Sequence, residues 1–130
     1  MASRTIKYIL TILLGAQFAF FGAARAIGTD AMVETFDEMG LPEWTMRVVG
    51  VFEVAAAVAL VASFVRPKLL LPTAAALALL AVAAGVSHVA LGDGIADAIP
   101  AIMILAQLGL VSWLHTRSSV DRNSTMQVTV

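Results

Sequence analysis

Three residues of this chain have types and surroundings that point to chemistry: Glu53, Arg25 and His88. Glu53 is a carboxylate inside the almost wholly apolar stretch 46–61. A charged residue at the centre of a membrane helix costs about 2.5–3.5 kcal/mol on insertion scales, so such residues pair with one another or mark a functional site. A carboxylate, a guanidinium and an imidazole brought together can hold the polar head of a lipophilic molecule. Glu53 and His88 can also form an acid–base pair if both reach one bound atom. Each residue has a simpler role as well. An arginine near a helix end can snorkel to the headgroups. An interfacial histidine can bond a carbonyl one turn back. Glu53 is shorter and deeper, and lacks either escape.

The rest of the chain fixes where these residues stand. It has 130 residues, 60% hydrophobic and 13% charged, whereas soluble domains run at about 45–50% apolar and about 25% charged. This is the composition of a membrane protein, short enough for one compact bundle. A net charge of -1 argues against nucleic acid, which needs a concentrated basic face. There is no cysteine, which excludes thiol–disulfide chemistry and thiolate metal sites.

Four long apolar runs follow one another, at about 6–27, 44–65, 69–91 and 98–114. Arg4 and Lys7 precede the first, and Ala24-Arg25-Ala26 has the form of a signal cleavage site. The run exceeds a signal core of about 7–15 residues, so a retained transmembrane helix is expected. Gly15, Ala19 and Ala23 make a small-residue stripe on it, and Ala78, Ala81 and Gly85 make another on the third run, where neighbouring helices can approach closely. Between the first two runs, Met32, Val33, Phe36 and Met39 fall at helical spacing, opposite Asp30, Glu34, Asp37 and Glu38. This predicts a short amphipathic helix at the membrane surface, capped by Thr29 or Asp30 and stopped by Gly40 and Pro42. Arg66-Pro67-Lys68 and Gly92-Asp93-Gly94 are turns, and Asp97 is placed to cap the fourth run. The expected domain is residues 1–117, with 118–130 a polar, disordered cytoplasmic tail.

Arg4, Lys7, Arg66, Lys68, Arg117 and Arg122 lie at the N-terminus, in the second connection and at the C-terminus. Asp30, Glu34, Asp37, Glu38, Glu43, Asp93 and Asp97 lie in or beside the first and third connections. The positive-inside rule therefore predicts a multi-pass protein of the cell membrane with both termini cytoplasmic. Short connections make successive helices antiparallel neighbours. The expected fold is an all-α, up-and-down four-transmembrane-helix bundle with a short amphipathic helix in its first outer loop.

In that arrangement the helical rise of ~1.5 Å per residue brings Arg25, Glu53 and His88 to the outer half of the bilayer. Glu53 is expected to pair with Arg25, with His88 on the same pocket. Gln17 and Gln107 lie nearer mid-membrane and complete the ligand-binding candidates, although interhelical hydrogen bonding is their simpler role. One histidine and one glutamate are too few ligands to expect a metal, and His115 belongs to the opposite end.

These residues fall in a pattern that resembles the DoxX-like family of small four-helix membrane proteins. The first helix ends Gly22-Ala23-Ala24-Arg25, and Gly40-Leu41-Pro42 follows a short acidic segment. The second helix carries Gly50-Val51-Phe52-Glu53 and ends at Arg66. The third ends at His88 before Gly92-Asp93, and Pro100 opens the fourth. The pattern covers about residues 7–114. Arg25 stands where lysine is commoner in the family, which keeps the charge and permits a two-pronged grip on a carboxylate. The resemblance implies a link to membrane redox complexes or to the assembly of membrane complexes. No cofactor-binding motif is evident, and a non-covalently bound quinone is what the resemblance admits.

Three functions are consistent with the sequence. The first is a module that binds a small lipophilic molecule, such as a quinone, against Arg25, Glu53 and His88. The second is an accessory or assembly subunit of a larger membrane complex, or a homo-oligomer, with Arg25 and Glu53 as a structural lock. The third is an acid–base enzyme using Glu53 and His88 on a lipophilic substrate. The first is favoured, because three polar groups converge at one depth; the small-residue faces and the absence of a complete catalytic set motivate the second.

Overall fold

A computed structural model of the protein describes residues 2–128. Five α-helices follow in order: α1 (Ala2–Ile27), α2 (Asp30–Glu38), α3 (Glu43–Ala62), α4 (Leu70–Ala90) and α5 (Ile95–Val128). A single 3-10 turn, Pro67–Leu69, leads into α4. The helices α1, α3, α4 with its preceding turn, and α5 are long and apolar enough to cross a membrane. The protein is thus an all-α membrane bundle.

Its long helices run alternately up and down. They form two intimate pairs, α1 with α3 and α4 with α5, joined side by side through α1–α5 and α3–α4 contacts. Leu14 and Phe18 of α1, Leu60 of α3, Leu70 and Leu77 of α4, and Leu108 and Val111 of α5 form the buried core between the pairs. That core occupies the middle of the bundle. Polar residues gather at its two ends, one bearing the acidic connections and the other the basic ones.

The amphipathic reading of 30–39 matches the structure. Met32, Val33, Phe36 and Met39 are half-buried, whereas Asp30, Glu34, Asp37 and Glu38 are exposed. Thr29 is the N-cap residue through its extended backbone, and its side chain makes no capping bond. Trp44, at the start of α3, is exposed.

Three expectations need correction. The segment expected as a disordered tail, 118–130, is helical over 118–128, where α5 continues unbroken to Val128; residues 129–130 lie outside those described. The physical reason is that a helix already nucleated by its apolar part propagates cheaply. No glycine or proline follows Gly109, and the hydroxyls of Thr116, Ser118, Ser119 and Ser124 bond back to the carbonyl four residues earlier, which keeps their hydrogens within the helix. Secondly, Asp97 does not cap α5. The helix begins at Ile95, and Asp97 lies in its first turn, where a carboxylate still complements the helix dipole. Thirdly, the closest approach of α1 does not use Ala19, which is exposed. It uses Gly15 and Gly22 instead: a Cβ on Gly15 would touch Val61, and one on Gly22 would lie 2.9 Å from the Gly50 carbonyl oxygen. The stripe on α4 does face α5, with Gly85 opposite Ala101.

Candidate functional site

The site begins with a crossing of two helix backbones. A Cβ on Gly50 would lie 2.4 Å from the Ala26 amide nitrogen and 2.6 Å from the Gly22 carbonyl oxygen. Only glycine leaves room for α1 and α3 to meet there. The Gly-x-x-Arg and Gly-x-x-Glu spacings then put Arg25 and Glu53 one helical turn from the contact, on facing surfaces. Arg25 Nη1 donates to Glu53 Oε2 at 2.5 Å. Glu53 is 5% exposed and Arg25 is half-buried.

The acidic end is further secured by Arg47. Its Nη1 donates to the carbonyls of Ala26 and Ile27, the last of α1, at 3.1 and 3.2 Å. Its Nη2 and Nε donate to Glu43 at 2.7 and 3.1 Å. Helix ends leave their final carbonyls without partners, and a cation there also meets the negative pole of the helix. Gly28 ends α1 beneath this guanidinium with φ +81, and a Cβ at that position would lie 2.7 Å from Arg47 Nη2.

His88 stands in the last turn of α4. The chain leaves that helix through Gly92, φ +80, with the Asp93 amide donating to the His88 carbonyl at 3.1 Å. This turn folds Asp93 back beside the imidazole, and His88 Nδ1 lies 3.2 Å from Asp93 Oδ2. A carboxylate on one ring nitrogen orients the ring and leaves the other for a second partner.

Arg25, Glu53 and His88 line one cavity of about 180 Å³ between the two helix pairs. Asp97 of α5 completes its polar rim beside Pro100, and Phe18, which also belongs to the core, bounds it toward mid-bundle. The guanidinium is incompletely satisfied, because Arg25 Nε is buried with no hydrogen-bond partner. Next to this cavity an apolar groove of about 440 Å³ runs between α4 and α5, past Gly85, Val86, Val89 and Ile102. The two share the walls Ala81 and Ala101. The arrangement can accept a molecule with a polar head and a hydrocarbon body.

The two glutamines stand apart. Gln17 is half-buried and neither it nor Gln107 lines the cavity. Gln107 Oε1 is buried and accepts no hydrogen bond among the described residues. The buried cluster beside it, around Leu108, is hydrocarbon and offers no donor.

The sequence reading did not single out four contributors: Arg47, Asp93 as the partner of His88, Asp97 as a cavity residue, and the paired glycines as the spacing device. A signal existed for Arg47, since Glu43 and Arg47 are four apart with the acid first, the favourable order on a helix. Asp97 had none, because its place at the cavity depends on where α5 packs.

Four apolar helices around a charged pair near one end define a multi-pass helical membrane protein with a polar site set into its bundle. The chain belongs to the DoxX-like family, whose profile matches residues 9–111. That stretch contains Arg25, Glu53 and His88 together with the glycines and Pro100 around them. No curated protein and no solved structure matches the chain.

Proposed function

We propose that the protein binds a small lipophilic molecule with a polar head, of the quinone type, in the cavity lined by Arg25, Glu53 and His88. The head lies against Arg25 and His88, whose N–H groups donate to its oxygens. The hydrocarbon body lies along the α4–α5 groove. The observation that carries this reading is the junction of the two spaces at Ala81 and Ala101: a charged pocket opening beside an apolar groove suits an amphiphile. In this reading the site serves a membrane redox process, in the cell membrane with both termini on the cytoplasmic side.

A purely structural Arg25–Glu53 lock accounts for the ion pair and the glycine crossing. It does not account for the unpartnered Arg25 Nε or for His88 on the same cavity. Acid–base catalysis is less well supported, because Glu53 is engaged by Arg25 and His88 by Asp93. The test is equilibrium binding of a fluorescence-quenching quinone analogue to the full chain in nanodiscs. His88→Ala and the groove-filling Gly85→Val are expected to weaken binding at least about tenfold each, the scale of one lost charge-assisted contact or one obstructed pocket. Unchanged binding in both variants would overturn the proposal.

A further inference from the structure

The opposite, basic end of the bundle holds a second, partly enclosed space that the outer cavity's function does not use. It has a volume of about 130 Å³ and is lined by Arg4 and Lys7 of α1 and His115 and Arg122 of α5, with the hydroxyls of Thr11 and Ser63 in its walls. No carboxylate lines it. Among the described residues, the ion pairs are Arg25–Glu53, Arg47–Glu43 and His88–Asp93, so none of these four basic groups has an acidic partner. They do feel one another: Lys7 faces the charges of Arg122 and Arg4, and His115 those of Lys7 and Arg122. His115 is 7% exposed, and its ring makes no hydrogen bond within the described chain.

His115 is buried and Lys7 half-buried, whereas Arg4 and Arg122 are exposed; like charges gathered around such a partly enclosed space repel unless a counter-charge enters. Most neutral hydroxyls in the walls are already engaged, since Thr11 donates to the Lys7 carbonyl, Ser63 to the Leu60 carbonyl and Ser118 to the Leu114 carbonyl. The remaining donors among the lining residues are the cationic side chains, the imidazole and the Tyr8 hydroxyl. Two guanidiniums, an ammonium and an imidazole match the several oxygens of a tetrahedral oxyanion, and the space is of a size for one. It joins, at Arg4, Ser118 and Arg122, an open groove of about 570 Å³ along the start of α1 and the end of α5. Asp121 borders that outer groove, not the partly enclosed space.

We propose that the basic end is a phosphate-binding site, in which Arg4, Lys7, His115 and Arg122 close around one phosphate group and tie the end of α5 to the start of α1. The group has two sources, the headgroup of an anionic phospholipid or a soluble phosphate. The site also gives the helical 118–128 segment a purpose: it carries Arg122 to the cavity. The inference is independent of the outer cavity.

The experiment uses the full chain, purified without added phosphate, and native mass spectrometry against phosphatidic acid and phosphatidylcholine of matched acyl chains. Inorganic phosphate is titrated in parallel and followed by phosphorus NMR line broadening. Preferential retention of phosphatidic acid, reduced at least about tenfold in Lys7→Gln/Arg122→Gln, supports the site with a lipid source. Broadening of inorganic phosphate by the native chain and not by that double variant supports it with a soluble source. Arg122→Lys, which keeps the charge, is expected to retain most binding and guards against a loss of fold. Arg66→Gln, a cation outside the cavity, is expected to leave binding unchanged. Equal retention of the two lipids with no phosphate broadening, or equal binding by the native chain and the double variant, would sink the proposal.

Discussion

Gly50 and Gly22 bring the backbones of α3 and α1 together so closely that a methyl group on Gly50 would lie 2.6 Å from the Gly22 carbonyl oxygen. The neighbour is main chain in both directions, so nothing flexible can yield. Gly50→Ala is therefore expected to separate the two helices and weaken the Arg25–Glu53 contact that depends on their approach. Overpacking of this kind costs about 1–3 kcal/mol. The measurement is the denaturant or thermal midpoint of the protein in detergent. Gly109→Ala serves as a control, because a Cβ there meets nothing within 4 Å, and it is expected to leave the midpoint unchanged or raise it.

Arg25 and Glu53 should behave as a pair and not as two independent contributors. Removing one partner leaves the other charge stranded in the bundle, which costs about 3–5 kcal/mol, whereas replacing both by apolar residues is often neutral. Glu53→Leu and Arg25→Leu are each expected to lower stability sharply, and the double variant to recover most of the loss. A double-mutant cycle on unfolding midpoints reads this coupling directly. Additive losses would show that the two residues act separately.

Arg47 closes the end of α1 from a neighbouring helix. Arg47→Ala removes its donations to Ala26 and Ile27, yet the guanidinium is about half exposed, so water replaces much of what is lost. The expected cost is about 0.5–1.5 kcal/mol, the ordinary net worth of such bonds. Hydrogen exchange of the amides nearest Ile27 should rise in this variant while exchange in mid-bundle stays the same, since only the last turn loses its anchor.

What could be read from sequence follows the physics of the bilayer. Twenty-residue apolar runs and the alternation of charge between connections are gross features, and they foretell four helices and the ends at which Arg25, Glu53 and His88 stand. The pairing of Arg25 with Glu53 follows from depth alone. Packing detail does not. Gly15, Ala19 and Ala23 look equivalent as letters, but the face that meets α3 is set by the angle at which the helices cross, and that angle selects Gly15 and Gly22. The segment 118–128 was obscured for another reason. Its composition resembles a solvated tail, while its conformation is inherited from the apolar helix before it. The basic cavity was hidden in the same way, because Arg122 reaches Lys7 and His115 only if that helix continues.

Because the chain contains no cysteine, single engineered cysteines report topology without background. The charge distribution predicts that the connection holding Asp93 faces outward, whereas Ser3 at the opposite end of the bundle faces the cytoplasm. Asp93→Cys breaks the contact with His88, so Asp37→Cys, on the exposed side of α2, is the better outer probe. In intact cells a membrane-impermeant maleimide is expected to label Asp37→Cys and to leave Ser3→Cys unlabelled until the cells are lysed. The same approach tests the length of α5. Spin labels placed singly at each position from 118 to 128 should show mobility and accessibility with a period near 3.6 residues if the helix continues. Uniformly high mobility would show instead that the helix stops near Leu114, and would separate Arg122 from the basic end.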